Sequence, residues 1–177
     1  MKTIYKKTKI KDLIKILFQK KDIKMQEQDS FKKKFQVGII CSEFNRDLVE
    51  KLHEGAKKEL LKHSIKIAIT EWVPGAGEIP QACKWLIEKQ KLDGILTCGA
   101  IIRGETCHFE SLCRILEKGQ FYLQTHFSLP VVFSILMLEN RSQAENRLGG
   151  NKGHRGTEAA QTLIKMLQLK RKINEME

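Results

Sequence analysis

Six consecutive residues, Arg103-Gly104-Glu105-Thr106-Cys107-His108, place a guanidinium, a hydroxyl and an imidazole around one glycine. An imidazole titrates near neutrality, so His108 can carry a proton in either direction at physiological pH. If a helix starts just after this turn, its free amides suit an anion, and the Gly104 to Thr106 backbone with a cation from Arg103 or Arg147 can hold a phosphate. Two residues elsewhere add to such a site. Phe44 can stack on a planar ring, and the Glu78 carboxylate can accept hydrogen bonds from hydroxyls. Singly each has a plainer role: Phe44 as core, Glu78 as a helix-start acid, Arg147 on a solvated face, His108 as a cap. Chemistry requires that they converge.

The elements around them predict that convergence. Ile95-Leu96-Thr97-Cys98 is a short apolar run, as in a fully buried parallel strand, and Phe109, Leu112, Cys113 and Leu116 follow at helical spacing. Val37 to Cys41 reads as a first strand. Asn45 is placed to cap the helix after it, whose stripe is Leu48, Leu52, Ala56 and Leu60. Ile65 to Ile69 reads as a second strand and leads into the breaker-rich Trp72 to Glu78. Pro80 then suits a first helical turn, before the stripe Ile79, Ala82, Cys83, Leu86 and Ile87. Pro130 to Leu136 reads as a fourth strand. A polar helix through Arg147 follows, broken at Gly149-Gly150, and a last helix covers about Gly153 to Lys170. Strands alternating with helices at this spacing mean right-handed crossovers, and so a flavodoxin-like α/β fold: a three-layer α/β/α sandwich on a four-stranded parallel sheet. Four loops then share the sheet's carboxyl edge, where open α/β sheets bind ligands: Ser42 to Asn45, Val73 to Glu78, Ala100 to His108, and Glu139 onward.

The 177 residues suit one domain, and 41% hydrophobic residues suffice for its core. No apolar run is long enough to span a bilayer and no secretory core opens the chain, which predicts a soluble, cytoplasmic protein. Cys41, Cys83, Cys98, Cys107 and Cys113 contain no CxxC pair and read as reduced core thiols, without a disulfide frame or a metal site. The net charge of +11 is unevenly placed. Residues 1–34 hold twelve lysines against Asp12, Asp22, Glu27 and Asp29, or +8, which leaves +3 for residues 35–177. Any affinity for nucleic acid or another polyanion therefore belongs to residues 1–34, a basic N-terminal extension read as a solvated arm.

In order, the segments resemble the 6,7-dimethyl-8-ribityllumazine synthase family, from about Val37 to Leu167. The motifs are Phe44-Asn45, WVPGAGEIP at Trp72 to Pro80, IIRGETCHFE at Ile101 to Glu110, PVVF at Pro130 to Phe133, LEN at Leu138 to Asn140 and GNKG at Gly150 to Gly153. The resemblance implies condensation of 5-amino-6-ribitylaminouracil with 3,4-dihydroxy-2-butanone 4-phosphate, with phosphate and water released and no metal or organic cofactor. It implies that Phe44 stacks on the pyrimidine, that Ala76, Gly77 and Glu78 contact that substrate, and that backbone at Ala100, Ile101 and Ile102 reads the ring edge. Glu105 and Thr106 would offer amides to the phosphate, Arg147 would neutralise it, and His108 would shuttle protons. Phe133 would come from a neighbouring subunit of a homopentamer, the unit from which some relatives build icosahedral shells. Three departures stand out: Gly77 where an aromatic is usual, Asn146 where a glutamate is usual, and a linker from Arg147 to Gly150 about three residues shorter. A second reading is a catalytically weak shell-forming or flavin-binding relative whose basic arm binds anions.

Overall fold

A computed structural model describes residues 34–176. The basic extension, residues 1–34, lies outside the described residues except for Lys34. In chain order the elements are β1 (Gln36–Ser42), α1 (Arg46–Lys62), β2 (Lys66–Val73), a 3-10 turn (Ala76–Glu78), α2 (Ile79–Lys89), β3 (Gly94–Ile102) and α3 (His108–His126). These are followed by β4 (Val131–Leu138), α4 (Arg141–Arg147), β5 (Leu148–Gly150), β6 (Gly153–His154) and α5 (Arg155–Asn174).

The four long strands form one parallel sheet in the order β2-β1-β3-β4. Side chains alternate across it, as the period of a strand requires. Ile39 and Leu96 face one layer with Leu52, Ala56, Ala160 and Leu163 from α1 and α5. Ile40 and Ile95 face the other with Ile79, Cys83, Leu116 and Leu123 from α2 and α3. Both faces of the sheet are thus covered, giving the expected three-layer, flavodoxin-like sandwich. No helix of the described residues is long and apolar enough to cross a membrane.

Several local expectations are corrected. β2 continues to Val73, past the expected end at Ile69, because Ser42 at the end of β1 still pairs with Val73, and Pro74 then stops it. β3 runs four residues beyond Cys98, since its pairing with β4 continues in register from Ile95 and Val131 to Ile102 and Leu138. Asn45 makes no side-chain cap. Its backbone is left-handed (φ 57°), and its carboxamide donates instead to the Ala100 carbonyl at 2.9 Å. Between Arg147 and α5 the chain folds a small antiparallel hairpin, β5 with β6, which helix-or-loop periodicity does not signal. Positive φ at Gly149 and Gly153 lets it turn. α5 begins at Arg155, capped by the His154 ring, which accepts from the Thr157 amide. Of the cysteines, Cys41, Cys83 and Cys98 are buried, and burial pushes the Cys83 thiol up to about 12. Cys107 departs from the core-thiol expectation: it is exposed, because it closes the loop before α3.

Candidate active site

Three loops are stitched together at the carboxyl edge of the sheet. The Glu43 and Phe44 amides donate to the carbonyls of Val73 (2.8 Å) and Pro74 (3.2 Å), so the loop after β1 lies along the loop after β2. Asn45 then reaches to Ala100 near the end of β3. These bonds stand Phe44 at the rim of the cleft, where 71% of it is exposed.

Beneath Phe44 lies a cleft of about 410 Å³, walled by Ala76, Gly77 and Glu78 of the 3-10 turn, by Ala100, Ile101 and Ile102 of β3, and by Thr106 and His108 at the start of α3. Nine of the twelve residues expected at the site therefore line one cavity. Apolar walls with a few polar groups at one end suit a planar ring bearing polar substituents. The Ala100 carbonyl is already engaged by Asn45, so its part includes holding the loops together. At Gly77 a Cβ would stand 3.2 Å from Leu112 Cδ2, so the missing side chain leaves that space to the cleft. Glu105 sits between the cleft residues Gly104 and Thr106 without lining the cavity itself.

The end of the cleft near α3 carries free amides that suit an anion. The amides of Glu105, Thr106 and Cys107 find no acceptor among the described residues, while the His108 amide leans on Thr106 Oγ1 at 3.4 Å. They precede a helix of 19 residues, whose aligned dipoles add to the attraction. Of the two cations proposed for a phosphate, Arg103 is spent elsewhere. Its Nε donates to Glu139 Oε2 at 2.6 Å, Nη2 donates to Glu139 Oε1 at 3.3 Å, and Nη1 pairs with Glu110. The Glu139 and Glu110 carboxylates hold its pKa above the usual arginine value, and Arg103 holds that of Glu110 below the carboxylate range.

Arg147 and Phe133 are not brought to this cleft within the chain. Arg147 lines a recess of about 500 Å³ between β4 and the hairpin, with Gln143, Asn146, Lys152 and Arg155. Phe133 lines a groove of about 650 Å³ between the carboxyl half of α3 and the length of α5. Neither cavity shares a residue with the His108 cleft, but Arg155 lines both of them. Arg155 is the residue that motif reading missed. The GNKG motif at Gly150 to Gly153 ends two residues before α5 begins at Arg155. The close approach of helices falls at Gly156, where a Cβ would meet the Leu52 carbonyl oxygen of α1 at 2.0 Å. Lys152 remains beside Arg147, its amide donating to the Asn146 carbonyl at 3.0 Å. Asn146 donates to the Ser142 carbonyl within α4. Among the described residues no three His, Cys, Asp or Glu side chains gather as a metal-ligand set.

Fold and cleft together define a flavodoxin-like α/β protein with a cleft at the carboxyl edge of its sheet whose walls and free amides suit a planar ring and an anion. The family model for 6,7-dimethyl-8-ribityllumazine synthase matches residues 34–171. The 6,7-dimethyl-8-ribityllumazine synthase of Pediococcus pentosaceus is 37% identical over 143 residues, covering 80% of this chain and 92% of that protein. The enzyme of the same name from Cytophaga hutchinsonii is 40% identical over 132 residues, with 73% and 83% covered. That from Limosilactobacillus reuteri is 38% identical over 139 residues, with 78% and 91% covered. The chain belongs to the 6,7-dimethyl-8-ribityllumazine synthase family, transferases of riboflavin biosynthesis.

Proposed function

We propose that the cleft beneath Phe44 is where this chain condenses 5-amino-6-ribitylaminouracil with 3,4-dihydroxy-2-butanone 4-phosphate, releasing phosphate and water. Phe44 stacks on the pyrimidine, the 3-10 turn at Ala76, Gly77 and Glu78 holds it from below with the Glu78 carboxylate on the ribityl hydroxyls, and Ala100 to Ile102 line the ring edge. The Glu105 and Thr106 amides receive the phosphate. His108 carries protons as the amine adds to the ketone, as the resulting carbinolamine loses water to form the imine, and as the neighbouring carbon gives up its proton while phosphate departs. Elimination moves negative charge onto the leaving phosphate, so fixed amides and a guanidinium help most as the transition state forms. Much of the remaining barrier is met by holding amine and ketone together, worth on the order of 7–11 kcal/mol at best.

The observation that carries this reading is the single cleft joining an exposed aromatic, unspent loop amides and His108. We infer further that Phe133 and Arg147 complete the cleft of a neighbouring copy. Both lie outside their own chain's cleft, and β4 is an edge strand whose outer side pairs with nothing among the described residues. A head-to-tail contact that presents β4 of one copy to the cleft of the next closes into a ring, the homopentamer of the family, and shells of such pentamers are a further level of assembly. The setting is the cytoplasm, and no cofactor takes part. The test is to mix both substrates and follow lumazine fluorescence and free phosphate together. Phosphate release without lumazine would reject the condensation.

A further inference from the structure

Arg103 stands at the junction of four parts of the site and touches each. Its amide donates to the Leu138 carbonyl at 2.9 Å, fastening the end of β3 to the end of β4. Its guanidinium takes Glu139, in the loop before α4, through two nitrogens. A third nitrogen pairs with Glu110 in the first turn of α3. The same guanidinium lies over the Phe109 ring, its Cζ 4.3 Å from the centroid, and Phe109 is a wall of the cleft. Between Arg103 and Phe109 hang only the anion loop and His108.

Resting on the proposed phosphate site, we propose that Arg103 is the positioning residue of that site. It fixes both ends of the 104–108 segment to the β4–α4 junction, so the loop amides and the His108 ring keep one spacing. A planar fork suits this task because it bonds two carboxylates in different directions while its face packs on a ring. It also neutralises the Glu110 and Glu139 carboxylates. A lysine offers one point charge and cannot span Glu139 and Glu110 together.

The experiment is steady-state lumazine formation by wild type, Arg103→Gln, Arg103→Lys, Glu139→Gln and the Arg103→Gln/Glu139→Gln double variant, with inorganic phosphate as an inhibitor competing with the ketone. The expected result for Arg103→Gln is a KM for the phosphate-bearing ketone raised roughly 10-fold, with the pyrimidine KM unchanged and a weaker grip on inorganic phosphate. Arg103→Lys behaves like Arg103→Gln. Glu139→Gln, an exposed change that spares the fold if the arginine variants do not assemble, raises the ketone KM in the same direction, by roughly 3-fold. The double variant is no worse than Arg103→Gln, because both changes cut the same tie. Equal rises in both KM values, full rescue by lysine, a silent Glu139→Gln or a multiplicative double variant would each overturn the assignment. If inorganic phosphate fails to compete in wild type, the anion site itself is wrong; if it competes equally in wild type and Arg103→Gln, the site stands and the positioning role falls.

Discussion

Replacing His108 by alanine isolates proton transfer from everything else the cleft does. The ring belongs to the first residue of α3, is exposed, and makes no hydrogen bond among the described residues. No carboxylate among the described residues orients it, unlike a base held in a triad, so its contribution falls at the low end of general acid–base help, ~10²-fold or less. That is about 2.7 kcal/mol of barrier. Positioning by Phe44, the 3-10 turn and the loop amides is untouched by the change, so binding is preserved. The assay is lumazine formation at saturating substrates across a range of pH. The expected outcome is a rate lowered by up to ~10² while both KM values stay near wild type. A loss approaching 10⁴-fold would mean the ring is held by a group the geometry does not reveal. An unchanged rate across the whole range would refute proton transfer by His108.

Arg147→Ala removes a charge-assisted contact worth about 1.5–3 kcal/mol, so the ketone KM should rise ~10- to 150-fold with little change for the pyrimidine, read by varying each substrate in turn. Gly156→Ala drives a Cβ to 2.0 Å from the Leu52 carbonyl oxygen and pushes α5 off α1. The cost is about 3 kcal/mol, seen in a melting curve as a midpoint roughly 6–12 °C lower. Burial, with Nε2 left without a partner, lowers the pKa of His53 below that of the unfolded chain. The unfolded state therefore takes up its proton first as pH falls, so stability is full above about pH 6.5 and declines below it. Denaturant midpoints between about pH 7 and 5 should flatten in His53→Phe. Removing residues 1–30, which carry much of the excess charge, should leave lumazine formation and oligomer size intact and abolish salt-sensitive RNA retention. Retention that survives the cut would move polyanion binding to the folded part.

Much of the fold was legible because periodicity reports burial. Ile39 and Ile40 of β1 face opposite layers, and the Leu48, Leu52, Ala56, Leu60 stripe lies against the sheet as its spacing requires. The misjudged boundaries have one cause: where a strand ends depends on its partner, and neither Val73 nor Ile102 announces that Ser42 or Leu138 still lies beside it. Asn45 misled for a similar reason, since a capping residue and a long-range tie look the same until the Ala100 carbonyl is in place. At the site, the types and order of Phe44, Glu78, Thr106 and His108 carried the reading, and the cleft gathers them. The role left open between Arg103 and Arg147 depended on side-chain partners. Only the positions of Glu110 and Glu139 show that Arg103 is already engaged. Arg155 escaped because its nearness to Phe133 and Arg147 arises from the hairpin turning back, which no motif spacing encodes.

The central claim is that His108 of one copy works with Arg147 of the next, and it is tested by pairing two inactivated chains. His108→Ala and Arg147→Ala are co-expressed at equal levels, the mixed oligomers are purified, and turnover is measured at low ketone concentration. In a ring of randomly mixed copies, about one quarter of the clefts then receive both wild-type residues, so activity should recover to roughly that fraction of wild type, far above either parent. If both residues act within one chain, no cleft is ever complete. Activity fixed at the mean of the two parents would contradict the shared site.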